Sequence, residues 1–444
     1  MKTIIIGLNH AGCAAARTLI NLGQTDITIY DRSLEVSFLA CGMALWIGGQ
    51  LSSGQGLFYA SAKDFVALGA KVMTETMVDT IDFDRKYIQA HTKSGQTVTD
   101  TYDRLILATG SRPKMPNIPG LALDNIINAK TFRDAERAVT LLAKPDIRRV
   151  VVIGAGYIGI ELAEACRRQG KEVTLIDSAP RIMNAHADEK FSNFIAEQLT
   201  AHGIRIETDL RITEFEGDSK LRSIRTTKGS IPADLAFACM GFEPCTELAQ
   251  GKLELGPKNA FKVDKNQRTS RPDVFAIGDC ATIYNNAIDA PDYIALASNA
   301  IRTGIIAAFN AAGIDLPYPG AQGSSGLCIY DMKLLTTGLS LQAAKEHHLD
   351  VSFIDVDQKR FPDSHSGPNP TVHMRLVYRN DDRVLIGAQI ASKADLSGAI
   401  HMLSLAIQTH LTIDALAYQD IFLMPEVSGL NAYRKAALSA GYLP

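Results

Sequence analysis

No apolar run in this chain approaches the ~18 residues that a helix needs to cross a bilayer, so no membrane span is expected. No basic stripe is present either. Lys and Arg number 45 against 48 Asp and Glu, a formal net charge of -3, so no nucleic-acid partner is expected. Cysteine is sparse: seven residues lie at 13, 41, 166, 239, 245, 280 and 328, with no C-x-x-C. That pattern gives neither a disulfide framework nor zinc-ligand spacing. The ten histidines do not gather around the cysteines, and His347-His348 reads as a solvated helix end. No metal is expected. The apolar opening "TIII" is too short for a secretory signal and lacks a small-residue cleavage site, so it reads as a strand and the expected location is cytoplasmic.

What is present is length and repetition. A chain of 444 residues is too long for one core and suggests about three domains. "TIIIGLNHAGCAAARTLINLGQTDITIYDR" (Thr3 to Arg32) and "VVVIGAGYIGIELAEACRRQGKEVTLIDSAPR" (Val150 to Arg181) both read as strand, glycine turn, amphipathic helix, strand, and aspartate. The unit has a physical logic. One glycine makes the tight turn, a second lets backbone approach a pyrophosphate, and a third lets helix pack on strand; the closing acid meets a ribose hydroxyl. In the second copy Gly154, Gly156, Gly159 and Asp177 are all in place. In the first, Gly7, Gly12 and Asp31 remain while Asn9 replaces the middle glycine.

Two such units predict two dinucleotides, such as a bound flavin and an exchanging nicotinamide. "YDRLILATGSRP" and "RPDVFAIGDCA" fit as two more buried strands ending in turns. Asp279 at the second turn is placed either to hold a sugar-like hydroxyl or to cap a helix. Beyond about residue 320, "VHMRLVYRNDDRVLIGAQI" reads as two strands joined at Asn380–Asp382, and "SGAIHMLSLAIQTHLTIDALA" as one amphipathic helix. One stretch stays open on this reading. "VSFLACGMALWIGG" (Val36 to Gly49) puts Cys41 at the start of an apolar helix, either as a packed hydrophobe or as a redox sulfur.

Together, "GLNHAG", "SFLACGMALWIGG", "GLFY", "ATGSRP", "GAGYIGIELAEA", "AIGDCA" and "YIALASNAIRTG" resemble the flavin-dependent pyridine nucleotide–disulfide oxidoreductases over nearly the whole chain. The resemblance is to the single-cysteine branch of NADH oxidases, NADH peroxidases and coenzyme A disulfide reductases. It implies an α/β fold with two Rossmann-like domains and a C-terminal α+β dimerisation domain. The FAD domain would be split over 1–115 and 246–320, around an NAD(H) domain at 116–245, with a dimerisation domain at 321–444.

The activity implied is reduction of O2 to water by NADH, through tightly bound FAD and a Cys41 thiolate/sulfenate cycle in a homodimer. The alternatives are an NADH peroxidase or a coenzyme A disulfide or persulfide reductase using the same cysteine. FAD would lie along Gly7, Asn9, Gly12, Asp31 and Arg32, and against Cys41, Thr109, Gly110, Ser111, Asp279 and Ala297. NADH would lie along Gly154, Gly156, Tyr157, Ile158, Gly159 and Asp177, with Tyr157 covering the flavin until nicotinamide displaces it. Asp177 repels a 2′-phosphate, and Arg181 is close enough to oppose that preference.

Dithiol relatives carry a second cysteine five residues after the first; here that position is Trp46. Cys41 is therefore implied to cycle through a sulfenic acid or a mixed disulfide, with a helix N-terminus favouring its thiolate. His10 is implied to be its hydrogen-bond partner and proton donor, and Cys13 a packed helix residue. Two departures from the family pattern stand out. Glu243 replaces a usual arginine, and the 424–435 segment lacks a proline–aromatic motif, which puts peroxide retention in question.

Overall fold

The computed structural model of the chain describes residues 1–420, 422 and 432–440. Its first sheet is parallel, in the order Val274–Ala276, Arg104–Leu107, Thr3–Ile6, Ile27–Tyr30 and Lys71–Met73. Burial on both faces explains its composition: Ile4, Ile5, Ile29, Leu105, Ile106 and Leu107 are all fully buried. The first repeat supplies its central strand, the neighbouring Ile27–Tyr30 and the helix His10–Asn21 between them.

A second parallel sheet is drawn from the intervening chain. Its order is Arg205–Glu207, Glu172–Ile176, Arg149–Ile153, Leu235–Ala238 and Ile126–Ile127. The second repeat forms its centre, with the helix Tyr157–Arg168 as crossover. In each sheet the glycine turn follows the central strand at its carboxyl end, where doubly wound sheets bind ligands.

The third sheet is antiparallel, ordered Ser325–Ile329, Met332–Gly338, Leu385–Ser392, Thr371–Arg379 and Val351–Lys359. Asn380–Asp382 lies in the turn between Thr371–Arg379 and Leu385–Ser392, as its polarity suggests. The apolar stretch after it is two helices, Ser397–Gln408 and Ile413–Ala417, rather than one. The break has local causes. His410 takes a left-handed φ of 51°, and the Thr412 hydroxyl accepts from Ala415 N at 3.1 Å, capping a new start. His347 ends the helix Leu341–Glu346, as its polar neighbourhood predicts.

Two of the ties between this third unit and the second stand out. The hairpin turn at Tyr330 donates its backbone N–H to Glu164 on the second crossover helix at 2.9 Å. Deeper in, buried Asp188 accepts from Gln389 Nε2 at 2.6 Å and from Leu341 N at 3.0 Å, and pairs with Arg375 at 3.1 Å. Asp188→Ala leaves the Arg375 guanidinium with Asp355 alone in a buried setting. The expected loss is about 3 kcal/mol, seen as a lowered thermal-unfolding midpoint; an unchanged midpoint would contradict the clamp.

Candidate active site

The two glycine turns are built alike. Gly7 (φ +104°) lies where a Cβ would fall 2.2 Å from the Ala108 carbonyl oxygen, and Gly154 (φ +97°) where it would fall 2.2 Å from that of Cys239. A Cβ on Gly12 would meet Gly7 O at 1.9 Å, and one on Gly159 would meet Gly154 O at 1.8 Å. The middle position is different: Asn9 and Gly156 both have extended, negative φ, -107° and -82°. No glycine conformation is required there, which is why asparagine is accepted.

The closing acids also match. Asp31 Oδ2 accepts from Leu8 N at 2.6 Å and Oδ1 from Ser33 N at 2.7 Å. Asp177 Oδ2 accepts from Ala155 N at 2.6 Å and Oδ1 from Ala179 N at 2.8 Å. Each carboxylate is thus fixed at the lip of a helix N-terminus.

Around the first turn the structure gathers the remaining residues expected at the flavin. Ser111 Oγ donates to Asp279 Oδ2 at 2.7 Å, and Lys130 Nζ donates to Ser111 Oγ at 3.0 Å while standing 3.7 Å from Asp279. Asp279 therefore engages side chains rather than capping a helix. Thr109 Oγ1 donates to Cys245 O at 2.6 Å, beside Gly110 at φ +71°. Ala297 opens the helix Ala297–Ala311, which crosses the helix His10–Asn21 at Gly304, where a Cβ would come 2.4 Å from Ala11 O. Arg32 is exposed next to Asp31 and favours its charged form, whereas burial raises the Asp31 pKa. A cradle with no room for a Cβ, a carboxylate fixed at its lip and a polar cluster across it fit the bound FAD of this fold.

Cys41 lies at a helix start, as expected, in the short 3₁₀ turn Ala40–Gly42 that leads into the helix Met43–Ile47, but it is exposed rather than buried. Nor does the turn lower its pKa. The residue is exposed, but the walls around its thiol desolvate it and raise its pKa, and Glu161 adds to the rise. The amides of Cys41 and Gly42 oppose that and do not win. Trp46 packs in an aromatic cluster, stacked on Phe132 at 5.3 Å with Phe38 and Phe58 beside that ring. The position of the missing second cysteine is thus filled by core.

Glu161 was not singled out by sequence, although it lies one turn after Tyr157 on the same helix. Burial and the neighbouring Glu164 push its carboxyl up to about 7. Its influence on Cys41 gives a prediction with a definite sign. A nearby carboxylate disfavours thiolate, so Glu161→Gln lowers the thiol pKa above pH 7. Alkylation of Cys41 at pH 8 should quicken about threefold, equivalent to roughly half a pKa unit; slower alkylation would contradict this.

His10 is the first residue of its helix, and its ring is stacked on Tyr59. Burial lowers its pKa against the pull of Asp279, with Lys130 helping to lower it. Cys13 is buried and its thiol donates to Leu8 O at 3.4 Å, as a packed helix residue should.

At the second glycine turn, Tyr157 extends its hydroxyl to Ser325 Oγ at 2.7 Å and Thr336 Oγ1 at 3.2 Å, both on the third sheet. Its ring lies 4.8 Å from that of His186. Ile158 is exposed at the same helix start. Arg181, four residues after Asp177, is engaged elsewhere. Its guanidinium donates to Ala187 O at 2.6 Å, Asn184 O at 3.2 Å and Gln342 Oε1 at 3.1 Å. Glu243, the unusual anion, pairs with Arg112 at 2.8 Å. The 424–431 part of the atypical C-terminal segment lies outside the described residues, as do the side chains of Ala432 and Tyr433. Among the described residues no cluster of side chains suits a metal ion, and no helix is long and apolar enough to cross a membrane.

Residues 1–304 match the family model "Pyridine nucleotide-disulphide oxidoreductase", and residues 324–432 match its dimerisation domain. The chain belongs to this family. It is an FAD-dependent oxidoreductase. An NADH oxidase of Lactococcus lactis subsp. cremoris is 44% identical over 99% of this chain and 100% of its own length. The solved water-forming NADH oxidase from Lactobacillus brevis, bound to NADH, is 35% identical with a TM-score of 0.96, covering 99% of this chain and 98% of that one. A solved NAD-dependent persulfide reductase from A. fulgidus is 27% identical with a TM-score of 0.94, covering 99% and 83%.

Proposed function

We propose that this member of the family is a water-forming NADH oxidase, acting as a homodimer through a Cys41 thiolate/sulfenate cycle. The observation that carries the reading is the single thiol: Cys41 is exposed, and Trp46 fills the place of a partner sulfur with packed aromatic core. The similarity to named oxidases over the full chain supports it. The domain division is taken as 1–115 with 246–320 for FAD, 116–245 for NAD(H) and 321–444 for dimerisation.

NADH would lay its pyrophosphate on the N-terminus of the helix Tyr157–Arg168, with Asp177 accepting from the adenosine ribose. Tyr157, Ile158 and the glycines Gly154, Gly156 and Gly159 line that approach. Gly7, Asn9, Gly12, Asp31, Arg32, Thr109, Gly110, Ser111, Asp279 and Ala297 would hold FAD. Bound FAD supplies hydride acceptance from NADH and electron delivery to oxygen, which no side chain can provide.

The protein's own chemistry is at sulfur. The Cys41 thiolate attacks one oxygen of the peroxide, the O–O bond breaks, and the departing hydroxide takes a proton to become water. His10 steadies the oxygen that leaves. Two electrons from a second NADH, with two protons, return the sulfenate to thiolate and release the second water. The sum is two NADH, one O2 and two protons giving two NAD+ and two waters.

Trapping tests the sulfur step. Protein exposed to oxygen and limiting NADH, then to dimedone, should carry the adduct on Cys41 by peptide mass spectrometry. Absence of that adduct, with turnover intact, would remove Cys41 from the cycle.

A further inference from the structure

Tyr59 lies on the strand of chain that faces the first glycine turn, and it is held there by a built scaffold. Ser37, fully buried, donates its backbone N–H to Leu8 O at 3.1 Å; its hydroxyl accepts from Tyr59 N at 3.2 Å and Ala60 N at 2.9 Å and donates to Ala60 O at 2.6 Å. One serine thus fastens the Tyr59 backbone to the turn that carries His10. The side chains then meet twice. Their rings are nearly parallel, 9° apart with centroids at 5.6 Å, and the Tyr59 oxygen is 2.9 Å from His10 Nδ1.

The direction of that hydrogen bond follows from the other groups around it. The Tyr59 hydroxyl also lies against the Cys13 thiol, but that sulfur is a weak acceptor and gives its own hydrogen to Leu8 O. The strong acceptor in reach is a ring nitrogen. A neutral imidazole offers one acceptor and one donor, so a phenol donating to Nδ1 leaves the N–H on Nε2.

We propose that Tyr59 is a positioning residue that donates to His10 Nδ1, holding the ring neutral with its N–H on Nε2 for the sulfur site. The proposal rests on the reading of Cys41 and His10 as the reacting pair. His10 then acts as a neutral hydrogen-bond donor to the sulfur-bound or departing oxygen rather than as an imidazolium. The charged groups that act on His10 are Asp279, which favours its cation, and Lys130, which opposes it. Arg17, Cys13 and Cys41 act on Tyr59, and burial keeps its phenol protonated and therefore a donor.

The test is a proton-coupled nitrogen NMR titration of histidine-labelled, FAD-bound, oxidised protein, with His10 assigned from His10→Gln. In wild type above its pKa, His10 should show an unprotonated Nδ1 and a protonated Nε2. A hydrogen bond into the Nδ1 lone pair favours the neutral ring, so Tyr59→Phe, which keeps the stacking, should raise the His10 pKa. The expected rise is about half a unit, roughly threefold in proton affinity. A protonated Nδ1 in wild type overturns the proposal whether or not the variant folds, and so does an unchanged or lower pKa in Tyr59→Phe. These readouts are taken on resting protein, so they stand or fall separately from dimedone trapping at Cys41.

Discussion

Cys41→Ser should change the product of turnover rather than abolish turnover. On the proposed reading, NADH binding and oxygen reduction would depend on the groups around the two glycine turns, and Cys41 would act only once peroxide has formed. The change removes one sulfur atom from an exposed turn, so neither folding nor the packed ring of Trp46 is at stake. What would be lost is the nucleophile proposed to split the peroxide. A serine hydroxyl remains protonated at neutral pH and cannot be oxidised to a sulfenate. Each oxygen consumed should then appear as hydrogen peroxide, with NADH used falling from two per oxygen to one. Added catalase should return half of the oxygen consumed. An unaltered ratio of two in Cys41→Ser would mean that the peroxide is split elsewhere.

Asp177→Ala carries the second large effect, and Arg181 decides its form. The carboxylate is presented by two backbone amides, Ala155 and Ala179, and on the proposed reading its loss would leave the NADH ribose without an acceptor. Loss of charge-assisted hydrogen bonds of this kind is worth about 1.5–3 kcal/mol, so KM for NADH should rise by roughly 10- to 100-fold. Removing a negative charge also removes the repulsion of a 2′-phosphate. The nearest arginine in sequence cannot complete the exchange, because its guanidinium is spent on Ala187 O, Asn184 O and Gln342. Selectivity for NADH should therefore collapse mainly through loss of NADH, with kcat/KM for NADPH gaining less than about tenfold. A variant that prefers NADPH outright would show that Arg181 is free to turn.

The repeated unit was legible because its chemistry is backbone chemistry. Gly7 with Gly12 and Gly154 with Gly159 are fixed by collisions with carbonyl oxygens that no side chain can avoid. Such requirements appear in sequence as glycine at set spacing. Asn9 looked like degeneracy but stands at a position with ordinary φ. The long-range partnerships were not legible. Ser325 and Thr336, well over a hundred residues from Tyr157, share its hydroxyl, and nothing local to any of the three announces the others.

Cys41 shows the same limit in electrostatic form. A helix start was expected to favour its thiolate, but the turn is one 3₁₀ step long and the walls and Glu161 outweigh two amides. The break at His410 was hidden for a different reason. Apolar residues continue across it, and only the Thr412 cap, a weak signal inside an apolar run, marks the new helix. Tyr59 was visible as part of "GLFY" but had no assigned partner until Ser37 was seen to fasten it beside His10.

The central claim is that this protein carries oxygen through to water. The most direct test records oxygen and NADH consumption together in the purified FAD-bound protein, adding catalase after the NADH is exhausted. Two NADH per oxygen and no oxygen returned by catalase are expected. One NADH per oxygen with half of the oxygen returned, or no oxygen uptake at all, would contradict it.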